Sequence, residues 1–450
     1  MSGDWVSDAN AALLTDLYQL TMLQSYWREG RTGTAVFSLF VRRLPERRNY
    51  LLACGLDQAL HYLEWLRFGP DECDRLRSTG RFDAAFIDWL GELRFTGTVR
   101  AMPEGTPAFA EEPILEVEAP LPEAQLVETF IMNQVPLQTM LASRAVRVVH
   151  AAAGRTVIDF GLRRMHGTDA GMKGARAFHI AGVDATSNVL AGLAYGIPVS
   201  GTMAHSYVQS HDDELQAFRD FARTWPDTVL LVDTWDTLDG VRNVVRLAGE
   251  LGDDFHVRGI RLDSGDLAEL ARQSRRILDD AGLDRVAIFA SSSLDEDAIA
   301  SFVAAGAPID GFGVGTRMGV SADAPSLDIV YKLAEYGGRG RLKLSTGKRL
   351  LPGPKQVFRV EEDGIAIRDV IGSADESLPG RPLLVDVMRN GKRLDDAHVP
   401  LEDIREHASN ELAHLPARIL AIEPADPPYP VDVSEALQTR WQSLIRQAGG

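Results

Sequence analysis

The chain has 450 residues, of which 45% are apolar and 25% charged, with a formal net charge of −17. That length is too great for one ordinary core and suits a barrel of about 250 residues with flanking domains. The acidic balance argues against nucleic-acid and anionic-membrane partners, while a local cluster of Arg and Lys remains free to bind a small anion.

Only two cysteines are present, Cys54 and Cys73. This usage fits a reducing compartment and excludes a disulfide scaffold or a cysteine-rich zinc site. The opening MSGDWVSDAN lacks a basic region followed by an apolar one. No apolar run approaches the roughly 18 residues that a bilayer span needs. The expectation is a cytoplasmic protein.

In chain order, residues 13–28 read as a helix, with Leu13, Leu17, Leu20, Met22 and Tyr26 spaced for a largely buried element. TAVFSLFV (34–41) reads as a strand, and the Pro- and Glu-rich stretch 103–123 carries short extended pieces such as ILEVEA. A helix is expected over 123–150, ended near Gly154. The pattern then becomes regular. Short apolar runs recur: TVIDFG (156–161), IPVSGT (197–202), TVLLVDT (228–234), GIRLDSGD (259–266), VAIFASS (286–292) and IDGFGVGT ending at Thr316. Helical stretches lie between them, among them 212–222 and 266–278. Strands alternating with helices imply a parallel sheet, open or closed. Past 330 the texture changes to short antiparallel strands (RLKLST, QVFRVEEDG, RPLLVDVMRNG) and two helices. One helix lies around 401–415. The other starts after Ser434, a cap, and buries Leu437, Trp441 and Leu444. The domains expected are an N-terminal α/β domain (1–135), a barrel core with the active site (136–330), and a β-rich and helical C-terminal region (331–450), part of which packs back on the first.

Each apolar run of the middle third ends in polar or small residues: Asp159, Thr202, Asp233, Asp263, Ser292 and Thr316. In parallel α/β folds ligands sit at these carboxyl ends. Six such ends together read as a site; any one alone reads equally well as the start of a loop. Within DFGLRRMHG (159–167), Phe160 beside Arg163 and Arg164 suits a planar anion, by stacking and by guanidinium pairing. A surface Arg pair with a core Phe is the plainer alternative. In GTMAHSYVQSH (201–211), His205 follows a strand end close to a helix N-terminus, and a neutral imidazole is a competent nucleophile toward phosphorus. A purely structural histidine is the alternative. His205 and His211 lie about 120° apart on a helix, too far to share one metal. In RLDSGDL (261–267), Asp263 and Asp266 suit ribose hydroxyls or a magnesium–diphosphate unit, or else they cap the next helix. GFGVGTRMG (311–319) offers glycines whose backbone N–H groups approach a phosphate closely.

These segments together resemble the bacterial nicotinate phosphoribosyltransferase family. The resemblance begins at LLTDLYQLTM (13–22) and FVRRLPERRNYLLACGL (40–56) and continues through FGLRRMHGTDAGMKGARAFHIAGVDATSN (160–188). It then takes in GTMAHSYVQSH, LVDTWDT, RLDSGDL, PIDGFGVGT, YKL, LKLSTGK (342–348) and LPGPKQVFR (351–359). It implies a type II phosphoribosyltransferase fold: an irregular α/β barrel with an N-terminal α/β sandwich domain and a C-terminal extension. It further implies a homodimer with shared active sites. The reaction implied joins nicotinate and phosphoribosyl diphosphate into nicotinate mononucleotide and diphosphate. ATP is then a co-substrate that transiently phosphorylates His205, and Mg²⁺ enters through the substrate diphosphate rather than at a protein metal site.

The same resemblance assigns roles. His205, Asp263 and Arg261 are the catalytic set. Phe160 and Tyr18, the latter from a partner chain, sandwich the pyridine ring. Arg163, Thr202 and Arg261 bind the nicotinate carboxylate or the diphosphate, and Asp263 and Asp266 hold the ribose and magnesium–diphosphate. Gly313, Gly315 and Thr316 receive the 5-phosphate, and Ser206 and Ser292 complete the substrate-binding residues. The cysteine-rich zinc site of some relatives is absent, since no Cys follows Cys73. Two alternatives stay open: a nicotinamide-using phosphoribosyltransferase, and a barrel lyase binding a sugar phosphate. The lyase would need a Schiff-base Lys or a metal cluster at a strand end, and the sequence offers neither.

Overall fold

The computed structural model describes residues 5–343 and 349–449. Residues 344–348, the LSTGK of LKLSTGK, lie outside the described residues, so RLKLST is not tested as a strand. The chain divides into two compact units, one of residues 1–143 with 326–450 and one of residues 144–325.

The first unit is built on a seven-stranded sheet. Its order is Arg339–Gly340, Ile329–Tyr336, Thr34–Val41, Pro113–Pro120, Thr98–Ala101, Val385–Arg389 and Lys392–Arg393. TAVFSLFV is a central strand, buried at seven of its eight positions. It pairs antiparallel with Pro113–Pro120 on one side and Ile329–Tyr336 on the other. A strand covered on both faces has no need of polar alternation, which is why its sequence is almost continuously apolar. The C-terminal chain thus supplies strands to the N-terminal sheet. Leu39, Val117, Tyr331, Val357 and Leu437 share one core. A second sheet contains Arg381–Pro382, Lys355–Glu362, Ile365–Ser373 and Val431–Val433.

Two burial expectations in this unit need correction. The helix Leu17–Arg28 buries only Gln19, Leu20 and Leu23, while Leu17 and Tyr18 are half exposed. Its apolar residues form a narrow stripe rather than a fully packed surface. In the helix Glu435–Gly449, Leu437 is fully buried, but Trp441 and Leu444 are only partly so. The guanidinium of Arg349 covers the Trp441 ring, 5.0 Å from its centroid. The Ser434 cap is present, its hydroxyl accepting from Leu437 N at 3.1 Å.

The second unit is an α/β layer around six parallel strands. Their order is Ala185–Thr186, Thr156–Asp159, Gly311–Val314, Ala287–Ser292, Gly259–Leu262 and Val229–Leu231. Neighbours in space are neighbours in sequence, and the last strand in the chain pairs with the first, Gly313 opposite Ile158. The order forms a parallel half-barrel with Ala185–Thr186 and Val229–Leu231 at its edges, not the reversing order of a doubly wound sheet. IPVSGT, expected as a strand, contributes only an isolated bridge between Val199 and Thr186. Pro198 has no N–H to give to a ladder. Thr186 N donates to Pro198 O and Ser200 N to Thr186 O, and the pairing stops there. The two-residue strand Ala185–Thr186 is too short to leave a periodic signal and was not expected.

The acidic residues that follow the strands have a local explanation. The helices Glu214–Thr224, Thr237–Leu251, Leu267–Asp280 and Glu296–Ala304 begin after Asp213, Asp236, Asp266 and Asp295. Each of these side chains accepts a backbone N–H of the first turn. An Asp at this position satisfies one of the free donors at a helix start. Among the described residues no helix is long and apolar enough to cross a membrane.

Candidate active site

The carboxyl ends of the parallel strands carry a connected set of side chains. After Thr156–Asp159, the buried Asp159 accepts from Gly161 N at 2.7 Å and from Thr186 Oγ1 at 2.8 Å. Burial raises its pKa, and these two hydrogen bonds counter the shift. Asp159 therefore braces the turn that carries Phe160. The backbone N–H of Phe160 donates to Val314 O at 2.8 Å. Its ring lies where any side chain at Gly313 would have to go. Gly313 is fully enclosed and seats the aromatic ring, while Gly315 and Thr316 stand at the strand's open end.

Arg261 points at the same ring, its guanidinium carbon 5.7 Å from the Phe160 centroid. Its Nη2 donates to Met203 O at 2.9 Å, and its buried Nε has no hydrogen-bond partner. Burial pushes this guanidinium below its ordinary pKa; Asp263 and Asp233 oppose that shift and Arg163 adds to it. Arg163 itself sits on the short 3-10 turn Leu162–Arg164, exposed to solvent. A half-buried cation with a free donor beside an aromatic face is suited to a flat anion.

Asp263 is fixed from two sides. Its Oδ1 accepts from Ser291 Oγ at 2.5 Å, and its backbone N–H donates to Asp233 Oδ2 at 2.9 Å. Asp233 also accepts from Ser264 Oγ at 2.7 Å, leaving its other oxygen buried and unpartnered. The free face of Asp263 meets His205, whose Nε2 is 3.9 Å from Oδ2. The opposite ring nitrogen, Nδ1, is 3.1 Å from Thr234 Oγ1. Phe160, Arg261, Asp263 and His205 thus belong to one chain of contacts.

Other expected residues stand further from it. Asp266 is the cap of the helix Leu267–Asp280, accepting from Glu269 N at 3.1 Å. Thr202 is half buried, its hydroxyl turned to Met203 O, and Ser206 is exposed. Ser292 ends its strand with φ 139°, a conformation rare for a side-chain-bearing residue and one that clusters at functional sites. Tyr18 belongs to the other unit, on the helix Leu17–Arg28, and is half exposed.

Three family models match the chain. Residues 13–136 match the nicotinate phosphoribosyltransferase N-terminal domain, 156–348 the nicotinate phosphoribosyltransferase family, and 380–440 its C-terminal domain. A nicotinate phosphoribosyltransferase of Mycobacterium tuberculosis, pncB2, is 52% identical over 426 residues, covering 95% of this chain and 92% of that protein. The chain belongs to the nicotinate phosphoribosyltransferase family. Another relative, the nicotinate phosphoribosyltransferase of Bacillus subtilis, is 44% identical over 378 residues, covering 80% of this chain and 77% of its own. Among solved structures, human nicotinic acid phosphoribosyltransferase superposes with a TM-score of 0.85 at 30% identity, covering 96% of this chain and 99% of that one. The family's fold is therefore present along nearly the whole chain, including the region after 360 where motif resemblance fades.

Sequence reading named Phe160, Arg261, Asp263 and His205 but gave no role to Asp233, Thr234 or Ser291. Asp233 was visible as a polar strand end. The other two are ordinary hydroxyl residues, and nothing in the spacing of LVDTWDT or of SSS (291–293) marks which hydroxyl meets a partner about thirty positions away.

Proposed function

We propose that this chain transfers the phosphoribosyl group of phosphoribosyl diphosphate to nicotinate, forming nicotinate mononucleotide and diphosphate, in NAD biosynthesis or salvage in the cytoplasm. The observation that carries the reading is the pairing of the Phe160 ring with the half-buried Arg261, whose Nε is unpartnered, beside Asp263. An aromatic carboxylate placed on that ring finds a stacking face and a cation. Asp263 then stands near the sugar. As diphosphate departs, positive charge grows on the ribose, and a fixed carboxylate stabilises that charge without reorganising. Arg163, exposed at the rim, supplies a second cation for the carboxylate or the diphosphate.

The 5-phosphate is assigned to Gly315 and Thr316, with Gly313 contributing by making room for Phe160. Mg²⁺, arriving on the diphosphate, takes few protein carboxylates. Asp263 and the exposed Asp266 offer hard oxygens of the required kind, and no cluster of three or more potential ligands occurs among the described residues. His205 is the proposed acceptor of the γ-phosphoryl group of ATP, with Asp263 beside its ring. Tyr18 is proposed to close over the substrate of a partner chain. A homodimer is supported by the apolar residues left in solvent on the helix Val189–Tyr195, where Leu193 is 79% exposed.

The test is direct comparison of nicotinate and nicotinamide as acceptors, with phosphoribosyl diphosphate and Mg²⁺ present, following mononucleotide formation. Preference for the acid supports the reading. Preference for the amide replaces it with a nicotinamide-using enzyme.

A further inference from the structure

His205 is held at two edges by neighbours of different character. Thr234, a neutral hydroxyl, meets Nδ1 at 3.1 Å, and Asp263, a carboxylate, lies 3.9 Å from Nε2. Thr234 directly follows Asp233, which accepts the backbone N–H of Asp263. One short segment beyond the strand Val229–Leu231 therefore sets the position of both groups that flank the imidazole. Below that segment, Gly240 leaves no room for a side chain against the backbone of Val232. The helix Thr237–Leu251 accordingly packs hard on the chain just before Asp233 and Thr234.

We propose that Thr234 is a positioning residue for phosphoryl capture by His205, fixing the plane of the imidazole through its hydroxyl. The proposal rests on His205 being the phosphoryl acceptor. In that step one ring nitrogen forms a bond to the γ-phosphorus of ATP. The bond from that phosphorus to the bridging oxygen breaks, its electron pair leaving on ADP. The proton on the other ring nitrogen stays there, so the ring passes from neutral to cationic, balanced by the Asp263 carboxylate. A ring that changes charge needs a partner that serves both states. With Nε2 as the attacking nitrogen, Nδ1 keeps its proton throughout and donates it to the Thr234 hydroxyl oxygen in both charge states. A second carboxylate would only accept, and would favour the protonated imidazole, which is not a nucleophile. The branched Cβ of threonine further restricts the hydroxyl's direction. The charged groups around the ring are Asp263 facing it, Asp233 behind the turn, and Arg261, anchored on Met203 O two residues before the histidine.

The experiment uses the full chain with Thr234→Val, which keeps the shape and removes the hydroxyl, and Thr234→Ser, which keeps the hydroxyl. His205→Asn is the reference. Each protein is mixed with γ-labelled ATP and Mg²⁺, quenched over time, and assayed for acid-labile, base-stable label. Nitrogen NMR of isotopically labelled histidine, assigned by the resonance lost in His205→Asn, reports the tautomer of this ring. The parent should acquire the label and His205→Asn should not. Thr234→Val should acquire it about tenfold or more slowly, the effect of one lost oriented hydrogen bond, with altered His205 resonances. Thr234→Ser should restore both. Labelling of Thr234→Val at the parental rate, with unchanged resonances, overturns the role of Thr234 while His205 keeps its own. Slow labelling that Thr234→Ser fails to restore overturns it too, because the hydroxyl is then not the cause. A parent that takes no label on His205 ends the acceptor reading and the proposal together.

Discussion

The ring of Phe160 occupies the space that a side chain at Gly313 would need, so an aromatic residue just after the strand Thr156–Asp159 is seated by a glycine on the strand Gly311–Val314. The two strands pair in parallel, and the close approach is possible because position 313 has no Cβ.

Gly313→Ala should therefore displace the ring. Overpacking of this kind costs about 1–3 kcal/mol. If that cost falls on the stacking face, kcat/KM for nicotinate should drop about tenfold or more, with the far-ultraviolet circular dichroism unchanged. An unaltered KM for nicotinate in a folded Gly313→Ala protein would show that the position of Phe160 does not govern binding.

The two arginines separate by their surroundings. Arg163 is exposed at the rim, whereas Arg261 is half buried against Phe160 and bonded to Met203 O. Arg163→Ala should raise KM for nicotinate roughly 10–100-fold, the worth of a charge-assisted contact, and should affect a ring lacking the carboxylate far less. Arg261→Ala should harm both ligands, since it removes packing on the ring as well as charge. Equal losses for acid and amide in Arg163→Ala would assign the carboxylate to Arg261 alone.

Stability in the first unit should respond to pH through Glu112. Its carboxyl is fully buried, and burial, with Asp369 adding to it and Arg359 opposing, raises its pKa well above the ordinary range. A raised folded pKa means that the folded state holds the proton more tightly. The contribution is complete below the unfolded value of about 4.3 and is lost as pH rises through the folded value, at about 1.4 kcal/mol per pH unit. Glu112→Gln mimics the protonated form. Its denaturant midpoint should match the parent's in acid and exceed it increasingly as pH rises. Parallel midpoints across that range would contradict a buried, protonated Glu112.

Much of the fold was legible because burial leaves periodic traces. TAVFSLFV declared a strand, and five of the six expected runs contain strands, though TVLLVDT and GIRLDSGD stop three and four residues short of their expected ends, at Leu231 and Leu262. IPVSGT failed where Pro198 interrupts the ladder, and Ala185–Thr186 escaped because two residues have no period. Burial was overestimated at Leu17 and Trp441, since helical spacing gives a face but not what covers it. In the site, the motif residues Phe160, Arg261, Asp263 and His205 were visible as types suited to the chemistry. Asp266 carried two readings, and its hydrogen bond to Glu269 N belongs to the helix cap. Thr234 and Ser291 were invisible, because their roles arise from contacts between segments far apart in sequence that only the fold brings together.

The measurement that bears most directly on the function is diphosphate release by the purified chain from phosphoribosyl diphosphate and Mg²⁺. It is made with and without nicotinate, and with and without ATP. The account predicts release that depends on nicotinate, is stimulated by ATP, and loses its response to ATP in His205→Asn. Release that ignores nicotinate, or none under any of these conditions, would contradict it.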